Sequence, residues 1–158
     1  CISDNAKYDS VMRGQSKFTS QEKQGYEIFR AKCNSCHKEP LFTDYSFKNN
    51  GVKITVDNDL GRYLITLNKN DEYKFKVPSL RNLDYTAPYM HDGSMEEIEE
   101  VLLHYSEKMN LTPNLDTTFI KNNYIGVQLT KEEMRKLKLF LKTLNDRSFI
   151  NNINLQEQ

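Results

Sequence analysis

The chain has 158 residues, enough for one hydrophobic core and too few for two full domains of ordinary size, so a single domain is the working assumption. Lys plus Arg (22) balance Asp plus Glu (22), so no global field draws the chain to nucleic acid or to an anionic membrane, and any partner must dock locally. No apolar stretch approaches the roughly 20 residues of a membrane span, and no signal-peptide pattern opens the sequence, so an export signal is expected to have been removed or to lie upstream.

Residues 1–18 read as a leading segment. Cys1 at its start reads either as the lipid-anchor cysteine of an exported lipoprotein or as the place where a longer chain was cut; the absence of a linker before Lys7-Tyr8-Asp9 points to the cut. The main unit is expected over residues 19–145. Thr19-Ser20-Gln21-Glu22 reads as a capping box that opens a helix with Tyr26, Ile28 and Phe29 on its apolar side and runs to Lys32, directly into Cys33. Residues 38–93 carry turn signals at Asn49-Asn50-Gly51, an alternating Lys74-Phe75-Lys76-Val77 stretch, and Pro78 and Pro88, without helical periodicity. So long an irregular segment in a compact domain needs something to wrap, and a buried macrocycle would supply it.

Two more capping boxes follow. Ser94-Met95-Glu96-Glu97 predicts a second helix with Ile98, Val101, Leu102, Tyr105 and Met109 on one inward face. Thr130-Lys131-Glu132-Glu133 predicts a third, with Leu129 and Met134 as a hydrophobic staple and Leu137, Phe140, Leu141 and Leu144 as its buried side. Residues 146–158 read as a polar C-terminal tail, frayed from Asn151 onward.

The run Cys33-Asn34-Ser35-Cys36-His37 carries the chemistry. In C-x-x-C-H the two thiols form thioethers to haem vinyl groups and the adjacent histidine sits under the iron. A disulfide, a redox-active thiol pair and half of a zinc site are the competing readings. A thioredoxin-type pair should follow a strand, whereas Cys33 follows a helix; a zinc site needs two further ligands, and there is no second cysteine pair. The sixth position of the iron has several candidates in Met90, His91, Met95, His104, Tyr105 and Met109, and residue chemistry alone does not choose among them.

Taken together, Lys7-Tyr8-Asp9 with Arg13-Gly14, Gly25 to Phe29, Cys33 to His37, Pro40 to Asp44, Lys76 to Asn82, Thr86 to Ser94, Glu99-Glu100-Val101, His104-Tyr105 and Phe140 to Leu144 resemble the C-terminal haem domain of the bacterial di-haem cytochrome c peroxidase and MauG family. The resemblance implies a mainly α, cytochrome c-like helical domain wrapped around one covalently bound haem c, with long irregular loops. It implies Cys33, Cys36 and His37 as attachment and proximal residues and Arg81 beside a haem propionate. It also implies backbone carbonyls of Thr86 and Pro88 at a calcium ion on the domain boundary. Peroxidase members carry methionine fourteen residues beyond the histidine of the Ala-Pro-Tyr-x-His stretch, where MauG-type members carry tyrosine. Counted from His91, that position is Tyr105, which becomes the leading sixth ligand, with Met109 one turn further as its rival.

The family has two haems, and the peroxidatic N-terminal one is absent here. The first expectation is therefore the electron-transfer half of a di-haem peroxidase that reduces hydrogen peroxide, or of a MauG-like oxidase acting on a protein, not catalytic by itself. The missing N-terminal haem half, a small electron-donor protein or protein substrate, and a second copy in a homodimer are the implied partners. The alternatives are a stand-alone mono-haem electron carrier and a haem-based sensor. Covalent haem attachment places the chain in the bacterial periplasm, with or without a lipid anchor.

Overall fold

The computed structural model describes residues 3–56 and 58–153. Local sequence sets the two long helices. In α2 (Ser20–Lys32) the Glu22 amide donates to Thr19 Oγ1 at 3.3 Å and the Thr19 amide to a Glu22 carboxylate oxygen at 2.7 Å. In α5 (Lys131–Lys142) Thr130 and Glu133 repeat the pattern at 3.2 and 2.8 Å. The boxes predicted at Thr19 and Thr130 therefore form, each satisfying two orphan amides at a helix start.

These helices cross with almost no space between them. A Cβ on Gly25 would lie 2.7 Å from the Lys136 carbonyl carbon and 2.9 Å from the Phe140 Cβ, so only glycine permits the approach. Around the crossing, Phe29, Phe42, Leu137, Phe140 and Leu144 are wholly buried, with the Phe29 and Phe140 rings 5.1 Å apart and Tyr26 and Phe140 5.2 Å apart. The core is an aromatic cluster, and each such ring pair adds to area burial.

Residues 3–18 belong to this core rather than lying apart from it. A short helix, α1 (Lys7–Met12), lays Tyr8 against Phe42 at 4.9 Å, and the Tyr8 amide donates to the Thr143 carbonyl. Six residues give no periodicity to read, which is why the sequence shows only a leading segment. The start of the C-terminal tail is tied in as well. Asp146 caps a last helical turn, α6 (Arg147–Ile150), and its carboxylate accepts from the Asn5 amide at 3.0 Å and the Ser3 hydroxyl at 3.3 Å. Cys1 and residues 154–158 lie outside the described residues.

The long irregular segment is built from turns and very short strands. β1 (Phe47–Lys48) pairs antiparallel with β2 (Phe75–Lys76), so the middle of the alternating stretch is a strand, and between them lie a short helix, α3 (Tyr63–Thr66), and a 3-10 turn over Lys69–Asp71. The second predicted helix starts later than its Ser94 box. The Tyr89 amide donates to the Met95 carbonyl at 2.6 Å, closing the 89–95 loop and holding Met95 out of a helix. Glu100 instead reaches back to the amides of Glu96 and Glu97, and α4 spans Ile98–Leu103.

The inward stripe also breaks. Residues His104–Lys108 form one turn of π-helix and Met109 has extended backbone, so Met109 does not continue the face that carries Tyr105. A hairpin of β3 (Ile120–Lys121) and β4 (Tyr124–Ile125) packs behind that turn. The Val127 amide donates to the Tyr105 carbonyl at 2.7 Å, the Tyr124 hydroxyl donates to the Ser106 carbonyl, and a Cβ on Gly126 would meet the Tyr105 carbonyl at 2.5 Å.

Candidate haem site

Cys33 is the C-terminal cap of α2, its amide still bonded to the Phe29 carbonyl at 2.8 Å. The chain then folds back on itself, with the Cys36 and His37 amides both donating to the Cys33 carbonyl at 3.2 and 3.1 Å. One tight turn thus gathers two free thiols and an imidazole. Burial pushes the Cys33 thiol up to about 12, which keeps it a neutral thiol before any covalent attachment.

His37 is oriented by the main chain. Its Nδ1 lies 3.1 Å from the Phe42 carbonyl and 3.2 Å from the Pro78 carbonyl. Carbonyls only accept, so Nδ1 carries the proton and Nε2 keeps its lone pair. Desolvation lowers the pKa of the ring and favours the same neutral form. The residues just before each of these are tied down: Thr43 Oγ1 donates to the Val77 carbonyl at 2.6 Å and Ser79 Oγ to the Leu41 carbonyl at 2.6 Å. A ring held through Nδ1 by fixed carbonyls is the arrangement that orients a metal-binding histidine.

Arg81 supports this loop from the other side. Its guanidinium forms a two-pronged pair with Asp9 at 2.8 and 3.0 Å, and its Nε and Nη2 both donate to the Pro40 carbonyl at 3.0 and 2.9 Å. Four of its five N–H groups are thereby used on protein, leaving a single Nη1 N–H for any other partner. Sequence reasoning missed Asp9, because the pair joins positions 72 residues apart and neither residue carries a local signal.

Tyr105 stands on the π-turn with its phenol inside the domain. Burial raises its pKa; the Asn50 amide bonded to it acts in the opposite direction, and the thiols of Cys36 and Cys33 raise it further, so the phenol lies within electrostatic reach of the attachment turn. Asn50 Nδ2 donates to the Tyr105 oxygen at 3.2 Å and is 3.5 Å from Met90 Sδ. A phenol and a thioether thus meet at one amide. Asn50, whose signal in the sequence was only that of a turn, is a second site residue that reading the sequence overlooked.

The other sixth-ligand candidates have different employment. The His91 ring is exposed and stacked on Phe75, centroids 3.7 Å apart. His104 is 2% exposed, and its Nε2 is bonded to the Asn50 carbonyl at 2.9 Å. Met95 is in the bridge to Tyr89, and Met109 lies beyond the π-turn in extended backbone. Thr86 and Pro88 are exposed, the Thr86 hydroxyl donating to the Leu83 carbonyl at 3.2 Å. Among the described residues, no three or more His, Cys, Asp or Glu side chains converge as a metal-binding group.

The residues present fit a covalently held haem: two free thiols, a neutral imidazole with Nε2 available, and a phenol and thioether that meet at one amide. A helical domain with few strands, built around such a turn at the end of a helix, defines the chain as a cytochrome c-type domain. No family model matches the chain. It is 34% identical over 146 residues to the methylamine utilization protein MauG of Methylorubrum extorquens, covering 90% of this chain and 40% of that protein. It is 30% identical over 156 residues to the cytochrome c peroxidase of Escherichia coli, covering 91% and 30%. Among solved structures, a MauG-like protein associated with microbial copper homeostasis superposes with a TM-score of 0.80 at 30% identity, over 98% of this chain and 52% of that one. The di-haem peroxidase BthA of Burkholderia thailandensis shares the fold, with a TM-score of 0.71 at 19% identity. The chain therefore belongs to the cytochrome c peroxidase and MauG family, and it corresponds to the C-terminal haem domain of a di-haem peroxidase. It spans between 30% and 47% of the length of the curated relatives it matches.

Proposed function

We propose that the chain is the electron-transfer haem domain of a di-haem cytochrome c peroxidase-like protein. The observation that carries this reading is the pairing of His37, with Nδ1 tied down and Nε2 available, with Tyr105 held on Asn50 within electrostatic reach of both thiols. Cys33 and Cys36 would hold haem c covalently, and His37 and Tyr105 would take the two axial positions. When bound, the haem supplies one-electron redox chemistry. The residues do the rest: the Phe42 and Pro78 carbonyls fix the His37 ring, and Asn50 fixes the phenol. Arg81 locks the loop between them and has one Nη1 N–H left for a propionate.

With His37 and Tyr105 both serving the iron, no position would be left for peroxide, so this domain would pass electrons and the reaction itself would fall to a partner. That partner is an N-terminal peroxidatic haem half, and the whole protein either reduces hydrogen peroxide or, as in MauG-type members, oxidises a protein substrate. A small donor protein would supply the electrons. Thr86 and Pro88, exposed on the loop before Met90, are the carbonyls through which a calcium ion would join the two halves. The periplasm is the compartment that fits covalent haem attachment, and no helix among the described residues is long and apolar enough to cross a membrane.

The test is the optical and resonance Raman spectrum of the oxidised holo-domain in wild type and Tyr105→Phe. A phenolate-to-iron band present in the first and absent in the second is the expected result. Identical spectra in the two would refute Tyr105 as ligand, and rapid peroxide turnover by the isolated holo-domain would refute the closed iron site.

A further inference from the structure

With Tyr105 as ligand, Met90 is left idle, although both side chains meet at the Asn50 amide. The Met90 sulfur and the Tyr105 oxygen are therefore within two hydrogen-bond lengths of each other. The amide between them is a fixed point. The Asn50 carbonyl is bonded to His104 Nε2 at 2.9 Å, and the neighbouring Gly51 is tied by its amide to the Asn49 side chain and by its carbonyl to the Asn110 amide, each at 2.9 Å. Met90 is held with equal care. It has a left-handed backbone, φ 70°, which a side-chain-bearing residue adopts only under constraint, and the 89–95 loop that enforces it is closed by the Tyr89–Met95 pair.

The two side chains differ in hardness. A phenolate is hard and anionic and prefers ferric iron; a thioether is soft and prefers ferrous iron. Resting on the reading of Tyr105 as ferric ligand, we propose that Tyr105 and Met90 are alternative sixth ligands of one haem iron, exchanged on one-electron reduction, with Asn50 as the cradle for whichever is off the metal. On reduction the iron gains one electron from a one-electron donor, the iron–oxygen bond breaks, the phenolate oxygen takes one proton from solvent, and an iron–sulfur bond forms to Met90. Oxidation reverses each step, and no group is lost. Methionine suits the exchange, since three rotatable bonds let its sulfur move without shifting the backbone. Because a ligand must change hands, the oxidised and reduced domains would have different intrinsic potentials, and fast electron exchange would be gated by the side-chain movement.

The experiment uses the holo-domain, with dithionite as reductant and covalent haem verified by its retention through acid-acetone extraction. Ferric and ferrous spectra are recorded for wild type, Met90→Leu, Met90→Gln and Tyr105→Phe. Support would be an unchanged ferric spectrum in both Met90 variants together with loss of the ferrous low-spin spectrum. Appearance in ferric Tyr105→Phe of the weak red thioether-to-iron band, as Met90 takes the vacated position, would be further support. In fast-scan voltammetry the wild type should show separated oxidation and reduction waves that merge into one reversible pair in Met90→Leu. A ferrous spectrum identical in wild type and both Met90 variants overturns the exchange while leaving Tyr105 as ferric ligand intact. A thioether band already present in ferric wild type overturns the Tyr105 reading and the exchange with it.

Discussion

Replacing Gly25 by alanine sets two opposed effects against each other. In an exposed helix the change should stabilise by about 1 kcal/mol, because glycine has the greater backbone entropy to lose. Here the added methyl would collide with the Lys136 carbonyl of α5 and lie 2.9 Å from the Phe140 Cβ. Restoring ordinary carbon–carbon separation requires the two helices to part by roughly 1 Å, a gap that forfeits a quarter to a half of each dispersion contact across it. Those contacts include Tyr26 and Phe29 on Phe140, the centre of the core. Overpacking against backbone costs about 3 kcal/mol or somewhat more, so after the propensity gain the net loss should be about 2–4 kcal/mol. At about 2–4 °C per kcal/mol for a chain of this size, thermal melting of the holo-domain followed by far-ultraviolet circular dichroism should drop by roughly 4–16 °C. A variant as stable as wild type, or more so, would show that the helices do not cross this closely and would remove the glycine argument.

Three further outcomes follow from the site's supports. Asp9→Ala strands a guanidinium that is only 9% exposed and also removes the carboxylate that accepts from the Ala6 amide, so urea unfolding should show a loss of about 3–5 kcal/mol; a loss below about 1 kcal/mol would mean the pair is not buried in solution. Asp146 gives a pH dependence. Burial alone would raise its carboxyl, but donors on Ser148, Asn5, Phe149 and Ser3 outweigh that and hold it below the usual carboxylate range. Its stabilisation is therefore complete above the unfolded carboxyl's pKa, near 4, and is lost as pH falls through the lower folded value. Asp146→Asn should cost about 1–3 kcal/mol at pH 7 and flatten the acid side of the urea-midpoint profile, and an acid limb unchanged by the substitution would contradict it. Thr43→Val removes the donor to the Val77 carbonyl and loosens the loop that presents the Pro78 carbonyl to His37. Stability should fall by about 1 kcal/mol, and the haem potential should shift with it; an unaltered potential would show that Thr43 serves packing alone.

What could be read from the sequence was what is local. The boxes at Thr19 and Thr130 and the Cys33–His37 turn each complete their bonding within a few residues, and they appear where expected. The Ser94 box failed because a main-chain partner five positions earlier than its helix start, Tyr89, claims Met95 first. Met109 left the inward face because a π-turn inserts extra backbone between it and α4, and nothing in a periodicity distinguishes that turn from ordinary helix. The Arg81–Asp9 pair and the Asn50 amide join distant stretches, and a single residue far away leaves no mark beside the one it serves. The resemblance supplied Tyr105 as a position but not the Met90 sulfur that shares its amide.

The hairpin behind the π-turn has a consequence of its own. A wide helical turn leaves carbonyls without their usual partners, and here the Val127 amide takes up that of Tyr105 and the Tyr124 hydroxyl that of Ser106, with Gly126 allowing the close approach. The backbone that carries the phenol is thus held from about twenty residues downstream, by the hairpin and the residues just after it. Drift in that hairpin, through a longer turn or a bulkier residue at 126, would shift Tyr105 with every residue of the attachment motif left as it is, which gives descendants of this domain a way to alter the surroundings of the site without touching Cys33, Cys36 or His37.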